Sequence, residues 1–530
     1  MKVLVCDPLS TSGIESLKAI EGIEVSVQTG LEKSQLLSVV GEFDIIIVRS
    51  ATRIDRDVLQ AAKKVRLIAR AGMGVDTIDV DAATEKGIIV MNTPAANAVS
   101  AAEHSMALIL AMMRNLPFAH QDLKQGTWNR KKYTGSELAH KTLGLLGLGN
   151  VGRNVARYAK AFQMKVIAFD PFVQKESIEA LGIEKVELEE LYNRSDILSI
   201  HAVLNEHTRG MVGTAQLAHM KTGVRICNCA RAEILNRHAM IEGLESGVIG
   251  GLALDVFESE PPAQDDPLIA HPKVVVTPHL GASTVEAQDQ VMVTLVDQLK
   301  RYIEDDFILN GINVPAISHE KLQSIGPFLQ LAFDMGSTLG QLVDASPRSI
   351  QIKVQSPSLE DKDLQPIANS GLAGFLKRQV SGRVNIVNAP MLAQERDVEW
   401  GVAFQSRPDA SYTQLIEIHA KYAEGEQHSI RGMIAHRNQR RIVGFDGFEM
   451  EVQTKGSMLW LSNEDLPGIV GQWGSILGKE NINISQVQVS SLENEAKALA
   501  VINIDSPAGP QVLQALRSID KVYEVKQVHL

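Results

Sequence analysis

Short apolar runs separated by helical segments constrain the fold of this 530-residue chain more than any other feature. The first set of runs is KVLVC (2–6), FDIIIV (43–48), VRLIAR (65–70) and GIIVMN (87–92). Continuous β-branched strands of this type are typical of parallel sheets that helices cover on both faces. Because the runs alternate with helical patterns, they predict βαβ units and therefore an α/β fold.

A second set of strands follows an apolar helix that the pattern predicts over residues 100–115. The six runs of this set are TLGLLG (142–147), KVIAFD (165–170), DILSIH (196–201), VRICNC (224–229), IGGLALD (249–255) and KVVVTP (273–278). Six strands with intervening helices are what a doubly wound dinucleotide-binding domain requires. A further helix predicted over residues 284–303 has no strand of its own, so we expect it to return to the first α/β unit.

The composition excludes several classes of protein. Hydrophobic residues make up 45% of the chain and charged residues 22%, as in globular proteins, and the length suggests about three to four domains. A net charge of -11 argues against nonspecific binding to nucleic acid. Three cysteines fit a reducing compartment, and no apolar run approaches the ~18 residues of a membrane span. We therefore expect a cytoplasmic protein without nucleic-acid or membrane partners.

The segment GLGNVG (147–152) lies between a predicted strand and a predicted helix. Gly147 would allow the tight turn, Gly149 the approach of a pyrophosphate, and Gly152 the packing of helix on strand. Asp170 ends the next strand about 20 residues later, where it would bind ribose hydroxyls and repel a 2′-phosphate. The segment therefore predicts binding of NAD; the alternative is a glycine-rich turn without a ligand.

Two cysteines lie one residue apart in ICNCARAEI (226–234). A zinc site needs four ligands, and no second cysteine pair or histidine cluster accompanies Cys227 and Cys229. We interpret them as small apolar residues of a buried strand and predict no metal site. Arg231 follows the C-terminal end of that strand, where ligands bind in open α/β sheets. Its guanidinium would form a fork for a carboxylate or keto oxygen; the alternative is a surface salt bridge.

Two more strand ends of the second set carry ionisable groups. LALDVFESEPP (252–262) ends in several carboxylates, and VVVTPHLGAS (274–283) ends in a histidine followed by a glycine. A carboxylate bonded to a histidine fixes the tautomer of the ring and favours its charged form, which makes a proton shuttle at neutral pH. The sequence therefore predicts an arginine, a carboxylate and a histidine at one edge of the sheet that binds the dinucleotide.

Beyond residue 315 the pattern changes. Residues 316–450 mix helix and strand patterns and carry no motif to which chemistry can be assigned. The end of the chain has a strand–loop–helix–strand pattern, with NEDLPGIV (463–470) in the loop and NINI (481–484) after the helix. This pattern predicts a compact α+β module.

Several segments together resemble the D-2-hydroxyacid dehydrogenase family over residues 1–315. They are ARAGMGVDTID (69–79), GLGNVG, NCAR (228–231), LDVFESEP (254–261) and TPHLGAST (277–284). MNTPAANAVSAAEH, the basic WNRKKYTGSEL and the C-terminal extension narrow the resemblance to the long-type D-3-phosphoglycerate dehydrogenases. The resemblance implies four domains: a flavodoxin-like substrate-binding domain (1–97 and 283–309), a Rossmann NAD domain (98–282), an intervening domain (310–453) and a ferredoxin-like ACT domain (455–530).

The resemblance also implies an activity, the NAD-dependent oxidation of 3-phospho-D-glycerate to 3-phosphooxypyruvate, which begins serine biosynthesis. The catalytic trio of the family falls on Arg231, which binds the carboxylate, His279, which takes the C2 hydroxyl proton, and Glu260, which supports the histidine. The implied cofactor contacts are Gly147, Gly149, Asn150, Val151, Gly152, Asp170, Cys229, Ala230, Asp255 and Gly281. The implied substrate contacts are Arg49, Ser50, Gly72, Gly74, Asn97 and Arg130, the last of which can reach the site of a partner subunit; the alternative for the cations is a solvated cluster.

The C-terminal module resembles an ACT domain, a ligand-sensing fold that dimerises edge to edge. In relatives that respond to serine, the residues that contact it match Asp465 and Asn483, with Asn463 close by. The alternative is a dimerisation domain without a ligand. The resemblance thus implies a homodimer or homotetramer, with L-serine as a candidate effector.

The chain departs from the family pattern next to the predicted site. Ala232 and Glu233 follow NCAR where the family has glycine, and Met73 replaces a smaller residue. None of these changes removes a catalytic group. Two other functions stay open: a reductase of another 2-oxo acid such as 2-oxoglutarate, whose second carboxylate can occupy a phosphate-binding cluster, and a non-enzymatic NAD-sensing regulator.

Overall fold

The computed structural model describes residues 1–305, 308–315, 319–405, 411–435, 438–492 and 496–530. Its strands are β1 (Lys2–Val5), β2 (Glu24–Val27), β3 (Ile45–Val48), β4 (Leu67–Arg70), β5 (Ile89–Asn92), β6 (Thr142–Leu146), β7 (Lys165–Phe169), β8 (Glu184–Lys185), β9 (Ile197–Ile200), β10 (Val224–Asn228), β11 (Ile249–Leu254), β12 (Val274–Val276), β13 (Ser349–Gln355), β14 (Glu399–Phe404), β15 (Leu415–Lys421), β16 (Gln427–Ala435), β17 (Gln439–Phe445), β18 (Phe448–Gln453), β19 (Ser457–Glu464), β20 (Ile484–Ser491), β21 (Lys497–Ile504) and β22 (Val522–His529).

The helices connect these strands and cover their faces. They are α1 (Thr11–Lys18), α2 (Lys33–Val39), α3 (Arg56–Ala61), α4 (Val80–Glu85), α5 (Ala98–Met113), α6 (Leu116–Lys124), α7 (Asn150–Ala161), α8 (Lys175–Glu179), α9 (Leu188–Arg194), α10 (Thr214–Leu217), α11 (Arg237–Ser246), α12 (Pro267–Ala270), α13 (Val285–Asp305), α14 (His319–Leu342), α15 (Asp361–Leu376), α16 (Ala389–Gln394), α17 (Ile469–Lys479) and α18 (Pro510–Arg517), with short 3-10 helices at Val40–Glu42, Ala232–Ile234 and Ala423–Gly425. In the described ranges, none of the helices has both the length and the apolarity to cross a bilayer.

The first sheet has five parallel strands in the order β2-β1-β3-β4-β5, the flavodoxin-like order. Its strands are apolar and buried because helices cover both faces. One of these helices is α13, which packs on the sheet through Val291, Met292, Leu295 and Leu299. All five strands end at the same edge, which we call the C-terminal edge of the first sheet.

The second sheet has seven parallel strands in the order β12-β11-β10-β9-β6-β7-β8. The strand order reverses between β6 and β9, and ligands of open α/β sheets bind outside the carboxyl ends of the strands at such a reversal. The two doubly wound parallel sheets that the sequence predicts are confirmed.

The remaining two sheets form the C-terminal part of the fold. The third is mixed, with the order β14-β13-β15-β16-β17-β18 and one parallel pair, β13 with β14. The fourth is antiparallel, with the order β20-β21-β19-β22, and its βαββαβ sequence of elements is ferredoxin-like. Met458, Trp460 and Val501 of the fourth sheet belong to the same apolar cluster as α14 and the third sheet. The predicted α+β and ferredoxin-like regions are confirmed. They share this cluster, and the ferredoxin-like region has a second cluster beneath α17 and α18.

The loop before α16, residues 383–388, docks on the first sheet at the edge where its strands begin; we call it the docking loop. Arg383 donates a hydrogen bond to the carbonyl of Val65, and Nδ2 of Asn385 donates to the carbonyl of Gly87 at 2.9 Å. Apolar residues of the loop join the cluster beneath the first sheet. The C-terminal part of the chain is therefore anchored to the N-terminal ends of β4 and β5.

Candidate active site

The glycine-rich turn after β6 has the geometry that a dinucleotide phosphate requires. Gly147 has φ of +95°, and a Cβ there would lie 2.8 Å from the backbone of His201. A Cβ on Gly152 would lie 2.4 Å from the carbonyl oxygen of Gly147, so helix and turn touch there. Gly149 caps the 12-residue helix α7 and has open space where a Cβ would stand. An open approach to a helix N-terminus fits the pyrophosphate of NAD.

Asp170 follows β7, is buried, and is held beside this turn by three backbone amides. Its Oδ2 accepts a hydrogen bond from the amide of Leu148 at 2.8 Å. Its Oδ1 accepts from the amides of Phe172 at 2.9 Å and Val173 at 3.2 Å. An ionised carboxylate has about four lone-pair positions, so Asp170 retains capacity for a ribose hydroxyl.

The turn from β10 to Arg231 is closed by the side chain of Asn228. Its Oδ1 accepts from the amide of Ala230 at 3.0 Å, and its Nδ2 donates to the carbonyl of Arg231 at 2.8 Å. Cys229 lies inside this turn and is partly exposed, whereas Cys227 is buried. The interpretation of Cys227 as a small apolar residue of a buried strand is thus confirmed. Cys229 packs against the same apolar cluster but lies just past the strand, which ends at Asn228, and is only partly buried.

Arg231 reaches from the second sheet to the first. Its Nε donates to Oδ2 of Asp76 at 2.9 Å, and its Nη2 occupies the space of a Cβ on Gly74, only 1.9 Å from where that atom would stand. Asp76 and Gly74 lie in the loop after β4, so the guanidinium crosses the cleft between the two C-terminal edges. Burial opposes ionisation of Asp76, but Arg231 outweighs it and holds the pKa of Asp76 below its ordinary value. With its side chain 26% exposed, Arg231 remains accessible to a ligand in the cleft.

His279 and Glu260 form a hydrogen-bonded pair beside the end of β12. Nδ1 of His279 lies 2.7 Å from Oε2 of Glu260, whose Oε1 accepts from the amide of Phe257 at 3.2 Å. His279 has a left-handed φ of +53°, a conformation that costs a non-glycine residue on the order of 1–3 kcal/mol. Because Glu260 holds the proton on Nδ1, Nε2 is the ring nitrogen that can accept a proton.

Asp255, at the end of β11, ties the loop after β12 to the second sheet. Its carboxylate accepts hydrogen bonds from the amides of Leu280 and Gly281, both at 2.8 Å, and from Oγ1 of Thr277 at 2.6 Å. Nε2 of His104 on α5 lies 3.1 Å from the same group. Burial opposes the charge on Asp255, but the hydrogen bonds from His104 and Thr277 hold its pKa below the ordinary value. The hydrogen bond with Asp255 in turn raises the pKa of His104.

Replacing Asp255 by alanine is expected to lower the free energy of unfolding at pH 7 by about 3 kcal/mol, since it leaves several buried donors without an acceptor. The folded-state pKa of Asp255 is depressed, so this contribution is present above the unfolded carboxyl pKa of about 3.9 and is lost as the pH falls through the folded value. Denaturant titrations at pH 7 and at successively lower pH measure both effects. Asp265→Ala, at an exposed neighbouring carboxylate, is the control, and equal stabilities at pH 7 would contradict the expectation.

Three arginines, Arg49, Arg70 and Arg231, form a group where the side chain of Arg231 meets the first sheet. Arg49 follows β3 and Arg70 ends β4, and a Cβ on Gly72 would lie 2.9 Å from Nη1 of Arg70. Burial lowers the pKa of Arg70 to about 10; the positive charges of Arg49 and Arg231 act in the same direction, while Asp7 opposes them. The group therefore has an excess of positive charge that an anionic ligand would neutralise. We call it the arginine cluster.

Sequence reasoning missed Arg70. It is the last residue of the apolar run VRLIAR, so it stands at a strand end just as Arg231 does. The rule that singled out Arg231 would have found it. Its Nε is buried and has no hydrogen-bond partner among the described residues.

The other predicted substrate contacts are distributed unevenly. Ser50 is exposed directly after β3, and Asn97, at the start of α5, has a buried Oδ1 without a partner among the described residues. The side chain of Asn92 donates to the carbonyl of Met73 at 2.6 Å and joins the loops after β4 and β5. Arg130 is exposed in the loop after α6, and no described contact joins it to the arginine cluster.

The predicted effector residues do not meet within one chain. Asn463 is buried near the end of β19, with exposed Asp465 two residues later. Asn483 precedes β20, and its backbone amide donates a hydrogen bond to Oδ1 of Asp505 at 3.2 Å. Asp505 follows Ile504, which pairs with Ser457 at the start of β19. At about 3.4 Å per strand residue, Asn463 and Asn483 lie roughly 20 Å apart along the sheet.

Comparison with known proteins identifies the family. Residues 106–281 match the family model of the D-isomer specific 2-hydroxyacid dehydrogenase, NAD binding domain, and residues 324–446 match that of the D-3-phosphoglycerate dehydrogenase intervening domain. The D-3-phosphoglycerate dehydrogenase of Methanocaldococcus jannaschii is 38% identical over 531 residues, which cover 100% of both chains. The chain belongs to the D-3-phosphoglycerate dehydrogenase family.

Further comparisons agree with membership of the D-3-phosphoglycerate dehydrogenase family. The relative from Archaeoglobus fulgidus is 35% identical over 535 residues, with 100% of both chains covered. A solved D-lactate dehydrogenase from Aquifex aeolicus, complexed with NAD and lactic acid, has a TM-score of 0.52 and 27% identity, and the match covers 58% of this chain and 96% of that one. The predictions of the family, of an NAD-dependent dehydrogenase and of NAD as cofactor are confirmed.

Proposed function

We propose that this chain oxidises 3-phospho-D-glycerate to 3-phosphooxypyruvate with NAD. The observation that carries the proposal is the placement of two groups at the C-terminal edge of the second sheet. Arg231 of the arginine cluster follows β10, and the His279–Glu260 pair follows β12, two strands away. A substrate with a carboxylate, a phosphate and a hydroxyl between them needs cations at both ends and a base in the middle. Family membership supports the same assignment.

Arg231 would bind the substrate carboxylate and polarise the C2 oxygen. Its guanidinium already lies in the cleft, with Asp76 as its carboxylate partner at 2.9 Å, so a substrate carboxylate would enter a preorganised fork. His279 would take the hydroxyl proton at Nε2, while Glu260 keeps Nδ1 protonated and stabilises the resulting imidazolium. NAD, when bound, accepts the hydride from C2.

The phosphate would lie among Arg49, Ser50 and Arg70, with the backbone amides near Gly72 and Gly74. Partly buried Arg70 gives this end a cation whose charge is only partly neutralised. In this proposal Arg130 contributes from a neighbouring subunit, since it is exposed and no described contact joins it to the arginine cluster. The domain bounds given above stay a prediction, in which closure of residues 1–97 and 283–309 onto residues 98–282 excludes water from the cleft.

We also propose a homo-oligomer whose C-terminal modules pair, with L-serine as effector. The separation of Asn463 and Asn483 within one chain supports a site that needs residues from two subunits. A cytoplasmic location is part of the proposal, and three free thiols, Cys6, Cys227 and Cys229, support it.

The test is NADH production by the purified chain with 3-phosphoglycerate, beside the reverse reaction with 2-oxoglutarate, each with and without serine. Turnover of phosphoglycerate supports the proposal, and its absence in a folded chain that binds NADH overturns it. Turnover of 2-oxoglutarate alone would mean that the arginine cluster binds the second carboxylate of the substrate in place of a phosphate. NADH binding without turnover of any 2-hydroxy acid would identify a regulator.

Replacing Asp170 by alanine is expected to raise KM for NAD at least about tenfold, since hydrogen bonds to a charged group contribute about 1.5–3 kcal/mol. The loss of its negative charge is also expected to raise the ratio of kcat/KM for NADP to that for NAD. Initial rates with both cofactors at saturating substrate measure the change. Glu179→Ala, at an exposed carboxylate on α8, is the matched control. An unchanged KM for NAD in Asp170→Ala would exclude the proposed ribose contact.

A further inference from the structure

The two cysteines at the end of β10 are close enough to react with each other. Cys227 is the fourth residue of β10, and Cys229 directly follows Asn228, the last residue of that strand. Their Sγ atoms are 3.9 Å apart. Cys227 is buried, while Cys229 is partly exposed and packs against the apolar cluster that contains Cys227. A reactive thiol and a protected partner are therefore adjacent.

The surroundings of the pair make the two thiols unequal. The hydrogen bond between the two thiols lowers the pKa of Cys229 below its ordinary value. The same hydrogen bond and burial raise the pKa of Cys227. Because the thiolate is the nucleophile, and oxidation favours an accessible thiolate beside a second cysteine, Cys229 would attack and Cys227 would resolve.

We propose that Cys227 and Cys229 form a peroxide-sensitive dithiol whose reversible oxidation to a disulfide switches the active site off. The Cys229 thiolate attacks the terminal oxygen of a hydroperoxide, an S–O bond forms and the O–O bond breaks. The leaving hydroxide or alkoxide takes up the proton that the thiol released, so that a sulfenic acid and water (or an alcohol) result. The sulfur of Cys227 then attacks the sulfenic sulfur, the S–S bond forms, and the thiol proton of Cys227 leaves with the hydroxyl as water. Two thiols are oxidised and one hydroperoxide is reduced.

The disulfide would displace the catalytic turn. A disulfide requires the two sulfurs to approach to about 2.05 Å and the Cβ atoms to about 3.8 Å, so the strand end must bend. Cys227 is fixed in the ladder between β9 and β11, whereas Cys229 lies past the last paired residue, Asn228. The movement therefore falls on the turn that Asn228 closes and that carries Arg231. Formation of the disulfide is independent of the proposed function; only the loss of activity rests on it.

In the test, the full chain is exposed to hydrogen peroxide, its remaining thiols are blocked, and the chain is digested with trypsin. Cleavage after Arg225 and Arg231 releases ICNCAR, which contains both cysteines of the pair. We expect this peptide to lose two hydrogens, and dithiothreitol to restore both its mass and the activity. A peptide that stays a dithiol, or carries only sulfinic or sulfonic acid, would overturn the proposal.

Cysteine variants distinguish the loss of activity caused by the disulfide from the loss caused by other oxidative damage. With diamide, which joins two thiols, we expect Cys227→Val to lose activity at least tenfold more slowly than the unchanged chain; Cys227→Ser serves the same purpose if the first variant does not fold. Cys6→Ala is the control, since burial raises the pKa of Cys6 to about 12 and its response should match the unchanged chain. Equal rates in Cys227→Val, or full activity with the disulfide formed, would overturn the switch. A lack of turnover before any oxidant is added would instead sink the proposed function, with the peptide mass still readable.

Discussion

Replacing His279 by alanine is expected to lower kcat for phosphoglycerate oxidation about 10³-fold, within the 10²–10⁴ that general acid–base catalysis supplies. The reason is the position of the ring: Glu260 holds Nδ1 at 2.7 Å and leaves Nε2 as the base for the C2 hydroxyl. KM for the substrate is expected to change little, because the arginine cluster is untouched. NADH absorbance under saturating substrate measures the loss.

Two further variants test whether the loss of activity in His279→Ala is specific to this histidine and its carboxylate partner. His219→Ala removes an exposed histidine beside α10 and should leave kcat as it is. Glu260→Gln keeps the size of the side chain but removes its charge, so we expect a loss smaller than that of His279→Ala. Near-normal turnover in His279→Ala would mean that another group takes the proton, and the proposed mechanism would fail.

Replacing Arg231 by alanine is expected to lower kcat/KM about 10³-fold. A bidentate guanidinium makes two hydrogen bonds to a carboxylate, each worth about 1.5–3 kcal/mol with charged partners. Arg231→Lys keeps the charge but not the planar fork, so it should recover only part of the activity. Steady-state rates over a range of phosphoglycerate concentrations separate the effect on KM from that on kcat.

The control for Arg231 is Arg301→Ala on α13, where a partly exposed arginine pairs with Asp297 at 2.9 Å. This variant should keep its kcat/KM. Loss of the cation at Arg231 also leaves Asp76 without its partner, so Arg231→Ala combined with Asp76→Ala distinguishes a missing fork from an uncompensated carboxylate. Equal kcat/KM in the unchanged chain and in Arg231→Ala would remove the arginine from the mechanism.

The strands and the glycine turn were predictable because their signals are local. Apolar β-branched runs became β1, β3, β4 and β5, and the helix predicted over 100–115 is α5, displaced by two residues. Gly147 and Gly152 were singled out for a tight turn and a close approach, and both a positive φ and a crowded Cβ position are found there. These features depend on residues that are neighbours in sequence.

Other features depend on contacts between distant residues, which a single sequence does not contain. The partner of Arg231 is Asp76, 155 positions away, and nothing in either segment indicates it. The docking loop lies in the region to which the sequence assigned no role. Its hydrogen bonds go to backbone carbonyl oxygens near β4 and β5, which every residue type carries, so no motif marks them. Asn463 and Asn483 match one motif but lie at opposite ends of one sheet. A sequence motif does not specify the distance in space between its residues, so this separation was not predictable.

The docking loop has a mechanical consequence. It holds the first sheet where β4 and β5 begin. At the other end of these strands, Arg70 ends β4, and Asn92 ends β5 and donates a hydrogen bond to the carbonyl of Met73 in the loop after β4. Each strand has four residues, a rigid span of about 13 Å at 3.3 Å per residue. A displacement of the C-terminal part of the chain would therefore be passed along β4 and β5 to the loop after β4. In the proposed mechanism this loop contributes to the substrate site, so we expect a ligand bound by the C-terminal part to change the width of the cleft.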